Sequence, residues 1–432
     1  AQPRTERHAL VETDRHPVHA VMPLHQPEGP QTDILLGRAV HGQPVGAERR
    51  AGRSGAHHLH LVVKTRDGKH DGFQIVKPVR TAAQDVETQI YFAVRFQNHG
   101  TKVRNFVHLY AMKFRTEIET APLGVQIGYE NRVLALGSCF AAHIARKLAG
   151  AKFRVTENPS GILFNPLSIA AAIRSYADPA PVTRGELGFD GEVWYHFGFH
   201  GDFSAPTAEE ALGRMNAARQ AGADALRTAD RVVLTFGTAW VYEHAGEAVA
   251  NCHRRPAAEF ARRRLSVEEI AETFAELIEG PLAGKQIILT VSPVRHIGDS
   301  LAGNAVSKAT LRLAAEQLTE RFKCTAYFPA YEILTDDLRD YRFYADDLVH
   351  PAPQAVDYVW EKFAPAVLTD EALRLLPEAE AIVAAAAHRP RNPQGEAHRA
   401  FCRRCLERIA ALPEMDFQSE TAHFRRCLEI NS

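Results

Sequence analysis

The sequence predicts an α/β protein built on a mainly parallel sheet with helices on both faces. Continuous apolar runs at 132–136, 231–236 and 286–291 have the composition of strands buried on both sides. Segments of helical period separate these runs, which supplies the crossover that parallel strands require. In such sheets the loops leaving the carboxyl ends of the strands gather on one edge, and ligands bind there.

Residues 1–111 stand apart from this pattern. They hold 11 of the 21 histidines and neither a cysteine nor a tryptophan, and proline, glycine and arginine interrupt every long amphipathic period. Short pieces at 59–63, 73–76 and 89–96 read as strands. His57-His58-x-His60 lacks acidic or thiol partners at ligand spacing. Met112-Lys113-Phe114-Arg115-Thr116 reads as a native beginning, so residues 1–111 are expected to be a poorly structured or non-native N-terminal extension. The folded domain is expected over 112–368 and a helical C-terminal extension over 369–432.

The strand at 132–136 runs into Gly137-Ser138-Cys139-Phe140. Phe140, Ile144 and Leu148, with Ala141 and Ala145 beside them, then form the buried stripe of a helix. Ser138 therefore sits on a strand-to-helix turn, where free backbone N–H groups and the helix dipole favour a developing negative charge. At this point Ser138 reads either as a helix cap or as a nucleophile. An extended piece at 153–156, the turn Asn158-Pro159-Ser160-Gly161 and a helix at 166–175 follow. A loop region rich in Gly, Phe and His at 188–203 precedes a long helix at 208–228. The strand at 231–236 ends in Gly237-Thr238, and Ser266-Val267-Glu268-Glu269 is a capping box for a helix reaching 278. The strand at 286–291 ends in Ser292-Pro293. A helix at 300–322, a strand at 324–328 and a helix at 353–368 complete the alternation. Ser138, Gly161, Gly237-Thr238, residues 292–296 and the loop before 353 all leave the sheet on one edge.

Beyond residue 369 the chain is helical and alanine-rich, with a break at Asn392-Pro393. His398, Cys402 and Cys405 share a helix face, and His423 with Cys427 repeats the His-x3-Cys spacing. Without the turn of a usual Cys-x2-Cys ligand set these read as small buried core residues, and no metal is assigned.

A hydrophobic fraction of 45% is that of an ordinary soluble chain, and a net charge of −1 offers no basic excess for nucleic acid or a membrane surface. Arg254-Arg255 and Arg262-Arg263-Arg264 read as solvated faces. No apolar stretch approaches the roughly 20 residues of a membrane span, and the first residues lack the apolar core of a signal peptide. The six cysteines, scattered from Cys139 onward, do not form a secreted disulfide framework. A cytoplasmic protein with reduced thiols is expected.

Phe343-Tyr344-Ala345-Asp346-Asp347-Leu348-Val349-His350-Pro351 carries the second chemical signal. Asp347 and His350, three apart ahead of a helix, can pair carboxylate to imidazole, fixing the tautomer and leaving the other ring nitrogen to take a proton. Ser138 completes a triad in the order serine, aspartate, histidine.

Here the sequence resembles a known family. Gly137-Ser138-Cys139-Phe140-Ala141 is similar to the signature of the GSCFA domain. The similarity continues through Asn158-Pro159-Ser160-Gly161, Thr235-Phe236-Gly237-Thr238-Ala239-Trp240, Val249-Ala250-Asn251-Cys252-His253, Ser292-Pro293-Val294-Arg295-His296 and Tyr344-Ala345-Asp346-Asp347-Leu348-Val349-His350-Pro351. The resemblance covers about residues 112–368. It implies a branch of the SGNH, or GDSL-like, hydrolases, with a flavodoxin-like three-layer α/β/α sandwich. It also implies Ser138 as nucleophile, His350 as general base and Asp347 as its orienting acid. The oxyanion hole it implies combines the N–H groups of Ser138 and Gly161 with an asparagine side chain. Gly237-Thr238-Ala239 places alanine where Gly-x-Asn would supply that amide, so Thr238, Asn251 or another amide is expected to substitute, or activity to be low. Cys139, one step along the turn, points elsewhere. Arg295 and His296 leave a strand end beside the site and suit an anionic or hydroxyl-rich substrate. The expected activity is hydrolysis of an O-acyl ester of a carbohydrate or small metabolite through an acyl-enzyme, with no metal or organic cofactor. The alternatives are an O-acyltransferase on the same triad and a catalytically weak binding module.

Overall fold

The computed structural model describes residues 115–429 and, ahead of them, seven strands between His8 and His108. The chain divides into two units, Ala1–Phe114 and Arg115–Ser432. In the first, His8–Thr13 pairs with His16–Val21 and Ile34–Gly37 with Val62–Thr65, while Gln74–Ile75, Tyr91–Arg95 and Asn105–His108 form a three-stranded antiparallel sheet. Three of these strands fall on or beside the pieces expected at 59–63, 73–76 and 89–96. The His57-His58-x-His60 run and Met112 lie outside the described residues.

The second unit is an α/β domain around a five-stranded parallel sheet. Its strands are β1 (Arg132–Gly137), β2 (Arg154–Glu157), β3 (Arg231–Phe236), β4 (Gln286–Val291) and β5 (Thr325–Tyr327), in the spatial order β2-β1-β3-β4-β5. This order puts the reversal of winding between β1 and β3, the switch point where doubly wound sheets leave a crevice. The helices are α1 (Cys139–Gly150), α2 (Pro166–Ala177), α3 (Ala208–Thr228), α4 (Val267–Glu279), α5 (Ser300–Arg321), α6 (Pro353–Val367), α7 (Asp370–Ala387), α8 (Glu396–Ala410) and α9 (Gln418–Glu429).

Successive strand residues point to opposite faces, and each face has its own core. Val133, Ala135, Val233 and Ile288 pack with Phe140, Ile144 and Leu148 of α1 and with Val359 and Phe363 of α6. Leu134, Leu136, Val232, Leu234, Ile287 and Leu289 pack instead with Ile169 and Ile173 of α2, Phe274 of α4 and Leu311 of α5. Burying each of these large side chains contributes about 1.5–3 kcal/mol before ordering costs. The continuous apolar runs are thus explained by two covered faces, as the sequence indicates. The C-terminal helices belong to the first core, through Ala379 and Ile382 of α7, Cys402 and Cys405 of α8 and Phe424 of α9. Among the described residues no helix is long and apolar enough to cross a membrane.

Two additions lie beyond the expected alternation. Gly188–Phe189 and Trp194–Tyr195 form a hairpin inside the region read as loop, and Trp240–His244 pairs with both Glu247–Val249 and Ala261–Arg264. In the latter sheet Arg262, Arg263 and Arg264 lie in a strand, and Arg263 forks onto Glu243 and Glu269 at 2.7–2.8 Å. Paired arginines on a half-exposed sheet mask the hydrophobic alternation that marks a strand.

Candidate active site

Gly137 and Ser138 end β1 and open α1. Gly137 has φ +136, and a Cβ there would lie 2.1 Å from the Thr235 carbonyl oxygen on the neighbouring strand. Only glycine fits that approach. Ser138 is 1% exposed and has the extended backbone of an N-cap, and its Oγ accepts from the Phe140 N–H at 3.3 Å. The capping role read from the sequence is realised.

The catalytic pair proposed from the sequence is also in contact. His350 Nδ1 lies 2.6 Å from Asp347 Oδ2, while Asp347 Oδ1 accepts from the backbone N–H groups of Val349 at 2.9 Å and His350 at 3.0 Å. These bonds, the His350 N–H first and its ring second, hold the Asp347 carboxyl down at about 2. The loop closes through Ala345 N–H to His350 O at 2.8 Å, and Leu348 takes the left-handed conformation at its tip with φ 58. Arg295 fixes this loop from the end of β4. Its N–H donates to Val349 O at 3.1 Å, and its guanidinium stacks 3.8 Å from the centre of the Tyr344 ring.

His143, on the second turn of α1, and His296 lie close enough to His350 to interact with it electrostatically. Ser138, Asp347 and His350 thus belong to one sheet edge. No hydrogen bond joins Ser138 Oγ to His350 among the described residues, and catalytic contacts of this kind are often open before substrate binds.

The second block is knotted to the first through Asn158. Its Oδ1 accepts from the Gly137 N–H at 2.8 Å, its own N–H donates to Ala135 O at 2.9 Å, and its carbonyl accepts from the Gly161 N–H at 2.7 Å. Gly161 has φ +84, and a Cβ there would meet His200 Cβ at 2.2 Å. Both backbone donors expected to face an oxyanion are therefore engaged within the fold, Gly161 N–H with Asn158 and Ser138 N–H with Thr235 O at 3.3 Å. Asn158 Nδ2, in contrast, is buried and has no hydrogen-bond partner.

The other candidates are distributed around this knot. The Thr238 hydroxyl lies 3.1 Å from Ser307 Oγ, which also accepts from Ala239 N–H at 2.8 Å. Thr238 is thus buried in a network with α5. Asn251 accepts from the His253 N–H at 2.8 Å and gives its own N–H to Phe197 O at 3.2 Å, in a layer of histidines and aromatic rings beside His200 and Gly201. His296 is mostly buried, with Nε2 unpartnered; burial first, then the charges of Lys308 and His350, pushes it down to about 4.

Lys308 is the group that sequence reasoning missed. It lies on α5, is 1% exposed, and donates to the carbonyls of Gly237 at 2.6 Å and Ser292 at 2.7 Å. One ammonium thereby ties together the residues that leave β3 and β4. Burial pushes it down to about 7. Its position in the buried series Asn304, Ser307, Lys308, Leu311 and Ala315 was the available signal, a cation at helical spacing on a covered face.

The sequence model of the GSCFA family matches residues 132–363, more than half of the 432 residues, and that of the GSCFA domain protein, C-terminal domain matches residues 379–430. No curated protein matches the chain.

Proposed function

The chain belongs to the GSCFA family, and from that premise we propose that it is a serine esterase-type hydrolase of SGNH, or GDSL-like, descent. Ser138 Oγ attacks the carbonyl carbon of an O-acyl ester while His350 Nε2 takes the hydroxyl proton. The tetrahedral intermediate collapses, and the alcohol leaves with the proton returned by His350. Water, deprotonated by the same imidazole, then releases the acid and restores Ser138. Asp347 holds the imidazole with Nδ1 as donor and compensates its positive charge. The substrate class is an O-acylated carbohydrate or small metabolite, and the compartment a cytoplasm in which the six free thiols stay reduced.

The observation that carries this reading is the 2.6 Å contact of His350 Nδ1 with an ionised Asp347, which leaves Nε2 as the basic nitrogen. The strand order and the serine at the N-terminus of α1 support it further. A second reading, a binding module with weak turnover, is favoured by the engagement of the Ser138 and Gly161 N–H groups inside the fold. Labelling with a fluorophosphonate probe tests both. The esterase reading expects covalent labelling of the wild type and none of Ser138→Ala; an unlabelled wild type leaves the binding reading.

A further inference from the structure

The two C-terminal helices bring together side chains that the catalytic reading does not use. His398 and Cys402 are one turn apart on α8, and His423 and Cys427 are one turn apart on α9. Residues at i and i+4 share a helix face, so each helix presents an imidazole above a thiol. His398 Nε2 lies 3.6 Å from Cys402 Sγ, and His423 Nε2 lies 3.7 Å from Cys427 Sγ. Across the helix pair, the donor atoms of His398, Cys402 and Cys427 all fall within 4.8 Å of one another.

We propose that His398, Cys402 and Cys427 form a zinc site that clamps α8 to α9. Zinc bonds of about 2.3 Å to sulfur and 2.0–2.1 Å to nitrogen, at tetrahedral angles, separate neighbouring donors by about 3.4–3.8 Å. His398 Nε2 and Cys402 Sγ already stand at that separation. The remaining closure, about 1 Å between helices, is within what side-chain rotation supplies. The ligand chemistry selects the ion. Two thiols and an imidazole with no carboxylate suit zinc and exclude the oxygen-seeking magnesium and calcium.

The charge balance suits the location. Zinc(II) with two thiolates and a neutral imidazole has no net charge, and Cys402 is 0% exposed beside Phe401 and Phe424. Binding replaces the thiol protons of Cys402 and Cys427, releasing two protons per ion. Ligands drawn from both helices make the ion a clamp that holds the C-terminal helices against the core they share with the sheet. Cys405, also buried and one turn beyond Cys402, lies outside the converging set and provides the internal control.

The full-length chain, purified without chelator, is assayed for zinc by elemental mass spectrometry, and the metal-stripped chain under reducing conditions is titrated with cobalt(II). The proposal expects one zinc per chain and a thiolate-to-cobalt charge-transfer band. Cys405→Ser retains both, while Cys402→Ser, Cys427→Ser and His398→Ala each weaken zinc binding by more than about tenfold in chelator competition. Cys402 is buried, so the half-buried His398 and Cys427 variants keep the test informative if Cys402→Ser fails to fold. Absence of stoichiometric zinc together with absence of the cobalt band overturns the proposal. So does unchanged affinity in the His398 and Cys427 variants, or a Cys402–Cys427 disulfide in a chain that takes up no metal when reduced.

Discussion

Replacing Asp347 with asparagine isolates the orienting role of the carboxylate from the fold around it. Asp347 accepts three hydrogen bonds, two from backbone N–H groups through Oδ1 and one from His350 Nδ1 through Oδ2 at 2.6 Å. An asparagine keeps its oxygen on the two backbone donors, which turns its NH2 toward His350 Nδ1. Two donors cannot share that contact, so Nδ1 becomes the acceptor and the ring proton moves to Nε2. In the proposed reaction Nε2 receives the Ser138 proton, so the variant would hold the imidazole in the wrong tautomer. The corresponding change in a triad lowers kcat by about 10⁴, or roughly 5 kcal/mol of transition-state stabilisation. The loop stays closed by its backbone bonds, and Asp347 is half exposed, so the thermal midpoint is expected to match the wild type. Turnover of a p-nitrophenyl ester and the rate of fluorophosphonate labelling read the chemistry, and thermal unfolding reads the fold. Activity within about tenfold of the wild type, with an intact fold, refutes the orienting role. The same bonds hold the Asp347 carboxyl at about 2, so acid inactivation of the wild type above roughly pH 3 is assigned to other groups.

Asn158→Ala is expected to slow fluorophosphonate labelling by about 10²–10³, the cost of one oxyanion donor, because its buried Nδ2 has no other partner. Asn251→Ala is expected to leave labelling within a few-fold, and the reverse ranking assigns the missing amide to Asn251. For His296, the folded state binds its proton only near pH 4 while the unfolded chain binds it near 6.5, so stability falls as pH drops across that window. The loss reaches roughly 3 kcal/mol once the pH is below the folded value near 4; chemical denaturation of wild type and His296→Gln between those limits should differ by that slope, and parallel curves refute it. Lys308 titrates near 7 when folded against 10.5 in its ordinary state, so wild-type stability should rise with pH through that interval and Lys308→Met should flatten the rise.

The parts of the fold that were legible in the sequence are those decided by local chemistry. Runs such as Val232, Val233 and Leu234 are apolar on both faces because Val233 enters one core and its neighbours the other. The Gly137-Ser138 turn, the N-cap of Ser266 on Glu269 N–H and the Asp347/His350 loop are also set by residues within a few positions of each other, whereas the Glu269 side chain expected to complete a capping box pairs with Arg263 instead. What the sequence does not reveal depends on distant partners. The Ala261–Arg264 strand is fixed by Glu243 and Glu269, and Lys308 is defined by carbonyls of Gly237 and Ser292, 71 and 16 residues away. Asn158 reads as a turn residue until Gly137 is seen donating to its side chain. The His-x3-Cys spacings were visible, yet their convergence depends on how α8 packs against α9, which no spacing within one helix records.

The cap and the nucleophile were read as rival roles for Ser138, and the hydrogen-bond count makes them compatible. A hydroxyl has two acceptor lone pairs and one donor proton. The Phe140 N–H occupies one lone pair, and the proton has no acceptor among the described residues. A helix N-terminal N–H directed at Oγ also stabilises the oxygen as it gains negative charge, by the dipole effect that favours anions there. The cap therefore holds the oxygen of Ser138 in place and lowers the cost of its ionisation, while the proton remains available to an imidazole whose Nδ1 is engaged by Asp347. In the proposed reaction a substrate carbonyl approaches the buried Oγ of Ser138 from the sheet edge to which the Asn158–Gly161 turn and the Asp347/His350 loop belong.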